Sequence, residues 1–343
     1  MSRRHSLKQL VKNVTSDTFE DAALAVFRWQ AASNFIYREY LTHLNCHPES
    51  VQSLTQVPFM PIGFFKKHIV LTESPVVRTV FESSGTTGVQ TGRHHVADLD
   101  WYTEISINIF EQTYGPLSNC HLLALLPSYL ERNNSSLVYM VQQFIAQTRS
   151  PVSGFFLHNV DELLKTLKNF AQNPDGRTVL LWGVTFALLD LAESDKRKDL
   201  EYLRNIPGLV VMETGGMKGR RREMLREEVH EVLTGAFGVN AIHSEYGMTE
   251  LLSQSYSQGD GIFDASTTMR VLLRDINDPR AVYDKPAPGL RYGGINVVDL
   301  ANLDSCSFIE TQDLGRFVGE SSQRFEVIGR FDNSDVRGCN LLI

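Results

Sequence analysis

Residues 209–250 read LVVMETGGMKGRRREMLREEVHEVLTGAFGVNAIHSEYGMTE, and this stretch decides the fold class. Leu209 to Met212 is a short apolar run that ends at Thr214-Gly215-Gly216. A run of this length closed by glycine reads as a buried strand. Arg220 to Phe237 then reads as a helix, because Leu225, Val229, Val232, Leu233 and Phe237 form one stripe and Gly238 stops it. Asn240 to His243 leads into Ser244-Glu245-Tyr246-Gly247-Met248-Thr249-Glu250. Strand, glycine turn, amphipathic helix and strand again is the unit of an α/β fold with a largely parallel sheet.

The same unit recurs upstream. Val76 to Phe81 reads as a strand, Asp98 to Tyr114 as a helix, His121 to Leu126 as a buried strand and Ser135 to Gln147 as a helix. Thr178 to Trp182 and Thr185 to Glu193 repeat the pair. Nearer the N-terminus, Phe19, Ala22, Ala23, Val26, Phe27, Ala31, Phe35 and Leu41 predict one helix from about Asp17 to Leu44. Pro58 and Pro61 force Val57 to Lys67 to be extended. Beyond Asp264 the helices stop, and Met269–Leu273, Gly294–Asp299, Ser307–Ile309 and Phe325–Ile328 read as strands. The expected division is an N-terminal helical segment (1–54), an α/β core (55–263) and a β-rich section (264–343).

Composition narrows the classes. Of 343 residues, 42% are hydrophobic and 21% charged, which excludes a largely disordered chain. The 33 Lys+Arg against 40 Asp+Glu give a net charge of -7, so no overall pull toward nucleic acid or an anionic membrane is expected. Cys46, Cys120, Cys306 and Cys339 are scattered and form no C-x-x-C pair, so neither a disulfide framework nor a zinc site is indicated. Met1 to Leu10 is basic with no apolar core after it, so no secretory signal is expected, and no apolar run reaches membrane-spanning length. The expectation is a soluble cytoplasmic protein.

Four motifs carry candidate chemistry. Ser83-Ser84-Gly85-Thr86-Thr87-Gly88 follows a strand, and its small residues, hydroxyls and backbone N–H groups suit phosphate oxygens. The same letters also make a solvent-exposed turn. In Tyr246-Gly247-Met248-Thr249-Glu250 the ring can stack on a base, Thr249 can bond a phosphate and Glu250 can hold Mg²⁺; the alternative is a turn with a solvated Glu. In Glu310-Thr311-Gln312-Asp313, an Asp after a strand can accept two bonds from a ribose, or make an Asx turn. The fourth is Gly329-Arg330-Phe331-Asp332, followed by Arg337-Gly338-Cys339.

In this order the set resembles the adenylate-forming superfamily over roughly residues 55 to 343. The resemblance makes Ser83–Gly88 the phosphate loop, Gly215-Gly216 the glycine pair beside adenine, Asp313 the ribose-binding residue and Gly329-Arg330-x-Asp332 the hinge. Within the superfamily the chain is most similar to the LuxE-type acyl-protein synthetases. The residues that carry this are Pro58-Phe59-Met60-Pro61 with Phe64-Phe65-Lys66, Gly215-Gly216-Met217-Lys218-Gly219, Glu245–Glu250 with Leu251-Leu252-Ser253-Gln254, and Arg337-Gly338-Cys339. The resemblance implies ATP and Mg²⁺, a fatty or other carboxylic acid as substrate, Cys339 as acyl acceptor, and an acyl reductase or other acyl-accepting protein as partner.

Two departures stand out. The superfamily places a Lys after the phosphate loop, where this chain has Val89-Gln90-Thr91-Gly92-Arg93. The mobile C-terminal domain with its catalytic Lys is also expected to be absent, since the sequence ends at Ile343. Lys218 is the first candidate to supply the cation, with Arg93 and Arg330 behind it, though Lys218 also reads as a solvated charge. Arg337 beside Cys339 favours the thiolate, whereas a small buried thiol is the other reading. Aromatics at Phe59–Phe65, Phe155-Phe156 and Trp182–Phe186 suit either an acyl tunnel or the core. Two alternatives remain open: an external thiol or amine acceptor, and a nucleotide-binding subunit without turnover.

Overall fold

The computed structural model describes residues 2–83, 91–126, 134–215, 222, 224–319 and 321–331; for 195–199, 321 and 322 it describes the backbone alone. The fold is mixed α/β. Among the described residues thirteen strands join one sheet, and Thr79–Glu82 pairs antiparallel with Arg93–Val96 in a separate ribbon. One half of the large sheet is parallel. Its strands lie in the order Gly154–Phe155, Cys120–Leu125, Thr178–Val184, Val210–Thr214 and His243–Tyr246. The other half is antiparallel and continues through Ser255–Ser257, Ile262–Asp264, Ser321–Arg330, Phe308–Val318, Gly293–Asp299, Met269–Arg274 and Val282–Tyr283. Hydrogen bonding is therefore continuous across residue 264.

Local chemistry explains the helices that feed this sheet. Asp98 caps Leu99–Tyr114 by accepting from Trp101 N at 2.9 Å, and Gly115 at φ +79° ends it. Val210–Thr214 runs into Gly215 at φ +86°, a conformation that favours glycine. Under the parallel half, Trp182 packs among Phe110, Phe144 and Tyr256, with ring centroids 6.1–6.3 Å away. Phe59 packs on Phe308 and Phe65 on His94. Of the aromatics that suited tunnel or core, these three are core.

The single helix expected over 17–44 is two helices, Phe19–Ser33 and Phe35–His43. Asn34 makes the break. Its backbone is extended and bridges to Thr72, and its Oδ1 accepts from Tyr37 N at 3.0 Å to cap the second helix. Its Nδ2 donates to Ser305 O at 2.9 Å. The helix expected from Arg220 is described over Arg226–Phe237, with residues 216–221 and 223 outside the described part. The strand expected to end at His243 instead begins there, so Glu245 and Tyr246 lie within it.

The N-terminal helices are tied to the connection between Gly293–Asp299 and Phe308–Val318. Gln30 is fully buried; its Nε2 reaches Asn302 O and Leu303 O, both at 3.0 Å, and its Oε1 accepts from Ser307 N at 2.9 Å. Arg4 pairs with Asp304 at 2.5 Å. Gln30→Leu keeps the helix but strands these buried groups without partners. It is expected to lower the unfolding free energy by about 2–4 kcal/mol, read from urea denaturation.

Candidate active site

The chain positions its candidate groups where the two halves of the sheet meet. Ser83 ends the ribbon strand Thr79–Glu82, and Gly92 precedes its partner. The two residues close the neck of the intervening loop: Ser83 N donates to Gly92 O at 2.9 Å, and Gly92 N donates to Ser83 Oγ at 2.8 Å. Ser84, Gly85, Thr86, Thr87 and Gly88 lie outside the described residues.

Glu250 arrives at this neck from 158 residues further along the chain. A Cβ on Gly92 would overlap Glu250 Oε1 and come within 3.4 Å of Ser83 Oγ, so any side chain at 92 would push the carboxyl aside. The side chain is 5% exposed. Burial pushes its pKa up to about 7, against the lowering fields of Arg330 and Lys66. Among the described residues no side chain donates a hydrogen bond to this carboxyl. Nor do the described residues hold a cluster of three His, Cys, Asp or Glu fit for a metal. One carboxylate beside a candidate phosphate loop fits Mg²⁺, which takes one or two carboxylates together with substrate phosphates.

On the other side, Tyr246 Oη donates to Asp313 Oδ2 and Arg330 Nε donates to Asp313 Oδ1, both at 2.9 Å. Asp313 sits within Phe308–Val318, directly paired with Arg330 of the next strand, and not after a strand as the sequence suggested. Each carboxylate oxygen keeps a lone pair for a further donor. Burial and then Asp313 hold the Tyr246 phenol well above its ordinary range, so it stays protonated. Its ring packs on Phe263 and Phe325. Glu245 accepts from the Thr214 hydroxyl, and a Cβ on Gly247 would overlap its Oε1.

The sequence chain profile of the acyl-protein synthetase family LuxE matches residues 8–343. The chain belongs to this family. No curated protein sequence matches it significantly. Its fold is similar to that of a 2-hydroxyisobutyryl-CoA ligase in the postadenylation state with R3-HIB-AMP, at TM-score 0.64 and 13% identity, covering 93% of this chain and 69% of that one. An acyl acid amido synthetase in complex with 2,4-DB gives 0.54 at 10% identity, over 97% and 72%. A structure from studies of fatty acyl-adenylate ligases of E. coli and L. pneumophila gives 0.50 at 14%, over 76% and 53%. These likenesses establish the adenylate-forming fold.

Of the residues the sequence singled out in this LuxE-family chain, the structure brings Ser83 and Glu250 together and joins Tyr246, Asp313 and Arg330. Thr249 lies beside Glu250 and is partly exposed, and Gly215 ends its strand. Gly216, Lys218, Asp332 and Cys339 lie outside the described residues. Among the described residues no helix is long and apolar enough to cross a membrane. Sequence reasoning passed over three residues of the site. Gly92 was read only for the lysine missing from its stretch. His94 contacts Thr249 O and Asn302 contacts Glu250 O across 155 and 52 residues, so no local signal marks either.

The Glu250 pKa has a consequence for stability. The folded value of about 7 exceeds the ordinary 4.5, so its contribution is present below pH 4.5 and lost as pH rises to 7. In wild type the loss amounts to about 3 kcal/mol at 1.36 kcal/mol per unit. Glu250→Gln removes this loss, so its advantage over wild type in urea denaturation opens between pH 4.5 and 7. Gly92→Ala displaces the carboxyl toward water and is expected to flatten the same profile.

Proposed function

We propose that the chain activates a carboxylic acid with ATP and then carries the acyl group on Cys339. One juxtaposition supports this: the buried Glu250 carboxyl abuts the neck of the Ser83 loop, beside the Tyr246–Asp313–Arg330 cluster. In this reading Ser83, Ser84, Gly85, Thr86, Thr87 and Gly88 wrap the triphosphate, and the Thr249 hydroxyl adds a donor. Asp313 receives the ribose hydroxyls through its spare lone pairs. Gly215 and Gly216 let adenine approach the backbone, and Tyr246 and Gly247 shape that side. Glu245, held by Thr214, sets the end of its strand.

Glu250 would hold Mg²⁺, which would offset charge on the phosphates. The chain's own task is then positioning and charge balance. A carboxylate oxygen of the acid attacks the α-phosphorus. That P–O bond forms as the bond to pyrophosphate breaks, and pyrophosphate leaves with the electron pair. Arg330 and Lys66 are the cations whose fields reach Glu250, and Lys218 remains the first candidate to steady the phosphates, with Arg93 and Arg330 behind it. The Cys339 thiolate next attacks the acyl carbon, its proton already given to solvent. A thioester forms and AMP leaves. A fatty acid is the substrate class the family resemblance implies, and an acyl reductase is the corresponding recipient.

ATP–pyrophosphate exchange across a panel of carboxylic acids tests the first half; no exchange with any acid would sink it. Asp313→Ala is expected to weaken ATP binding by about 1.5–3 kcal/mol, the range for hydrogen bonds to a charged group. Cys339→Ser is expected to keep exchange but to gain no hydroxylamine-sensitive acyl group, because a neutral hydroxyl is a poor nucleophile. Acylation of the variant at the wild-type level would move the acceptor elsewhere.

A further inference from the structure

Two buried side chains grip the backbone of the Thr249–Glu250 segment. Asn302, 1% exposed, lies in the connection before Phe308–Val318 and donates from Nδ2 to Glu250 O at 2.7 Å. That turns its Oδ1 toward His94 Nε2, 3.1 Å away. His94, also 1% exposed, stands 2.9 Å from Thr249 O through Nδ1. Thr249 O and Asn302 Oδ1 both only accept, and burial lowers the His94 pKa to about 4, so the neutral ring has one proton for two acceptors. At the shorter distance Nδ1 carries it and donates to Thr249 O, which leaves Nε2 without a proton for Asn302. The same connection takes the next amides. Asp299 Oδ2 accepts from Leu252 N at 2.7 Å and Ser253 N at 3.1 Å, and its Oδ1 accepts from Ser253 Oγ at 2.6 Å.

The grip matters because of how Glu250 is held. No side chain among the described residues donates to its carboxyl, so the carboxyl goes where its backbone and the space at Gly92 send it. The connection that supplies the grip is itself anchored, by Gln30 on Asn302 O, by Arg4 on Asp304, and by Asn34 and Thr72 on Ser305 O.

We propose that Asn302, beside His94 on the preceding carbonyl, is a positioning residue: it sets the Glu250 backbone so that the carboxylate meets a Mg²⁺–nucleotide in one geometry. Only the identity of the reaction rests on the acid-activation reading. Outer groups that orient a metal-binding residue commonly account for 10- to 100-fold in metal affinity or activity. Asn302→Ala leaves the backbone carbonyl for Gln30 in place and removes only the amide.

The test compares Asn302→Ala with Arg4→Ala, which loosens the same connection without touching Thr249 or Glu250. Each is measured by thermal unfolding, by pyrophosphate exchange, and by calorimetry of ATP with and without Mg²⁺. For Asn302→Ala, kcat is expected to fall about 10- to 100-fold with the KM for ATP within about threefold. The Mg²⁺ needed for half-maximal exchange should rise about tenfold, and Mg²⁺ should strengthen ATP binding less than in wild type. Arg4→Ala should lower Tm and leave the Mg²⁺ dependence alone. Should Asn302→Ala not fold, His94→Asn and His94→Ala carry the test. The Asn variant keeps an N–H near the Nδ1 position and should retain the wild-type Mg²⁺ dependence that the Ala variant loses. An Mg²⁺ dependence that is unchanged in Asn302→Ala, or that shifts in Arg4→Ala in step with Tm, overturns the proposal. If wild type exchanges pyrophosphate with no acid, the acid-activation reading fails, and the calorimetric comparison still decides the role of Asn302.

Discussion

The Glu250 carboxyl is taken out of water and set against Gly92; among the described residues no side chain donates to it, and its own backbone N–H replaces part of the water it loses. Desolvation of this kind disfavours the ionised form until an outside positive charge arrives. Arg330 and Lys66 offset part of the penalty from a distance, and the carboxyl still titrates near neutrality. The surroundings follow from that requirement. Gly92 must stay small, the Ser83 hydroxyl must close the loop neck, and the backbone of Glu250 must be held firmly from elsewhere, which Asn302 does.

The two halves of the sheet contribute differently. The parallel half delivers strand ends, Thr214-Gly215 and Glu245-Tyr246, from which loops turn into the site. The antiparallel half delivers a cross-strand pair, Asp313 opposite Arg330. Tyr246 joins them, with its hydroxyl on Asp313 and its ring against both Phe263 and Phe325. The pair depends on register, since a slip of one residue would turn Asp313 to the opposite face of its sheet. That register holds over Asp313 and Leu314 and shifts directly after Leu314.

What could be read in the sequence is what nearby residues determine. Helical spacing located Leu99–Tyr114 and Thr185–Glu193 to within a residue, and apolar runs ending at glycine located Val210–Thr214. The ordered motifs carried the family as well as the fold. The break at Asn34 was hidden, because a capping Asn inside an apolar repeat looks like one polar position of a longer helix. Asp313 was put beyond its strand because the alternation of Phe308–Val318 is blurred by burial on both faces near its start. His94 and Asn302 were invisible for a different reason. Their partners are carbonyl groups, which every residue has, so side-chain identity at 249 and 250 says nothing about who holds them.

The ties between the first helices and the connection at 302–307 also bear on synthesis. Gln30 finds its partners 272–277 residues later in the chain, and Arg4 finds Asp304 300 residues later. At ribosomal speeds of about 5–20 residues per second, that gap lasts roughly 15–60 s. Throughout it, Phe19, Phe27 and Tyr37 belong to helices whose final packing surface, including Phe308, has not been made. The emerging chain thus presents an unfinished apolar face throughout that interval. The connection at 302–308 seals that face when it arrives, and it also completes the support beneath Glu250.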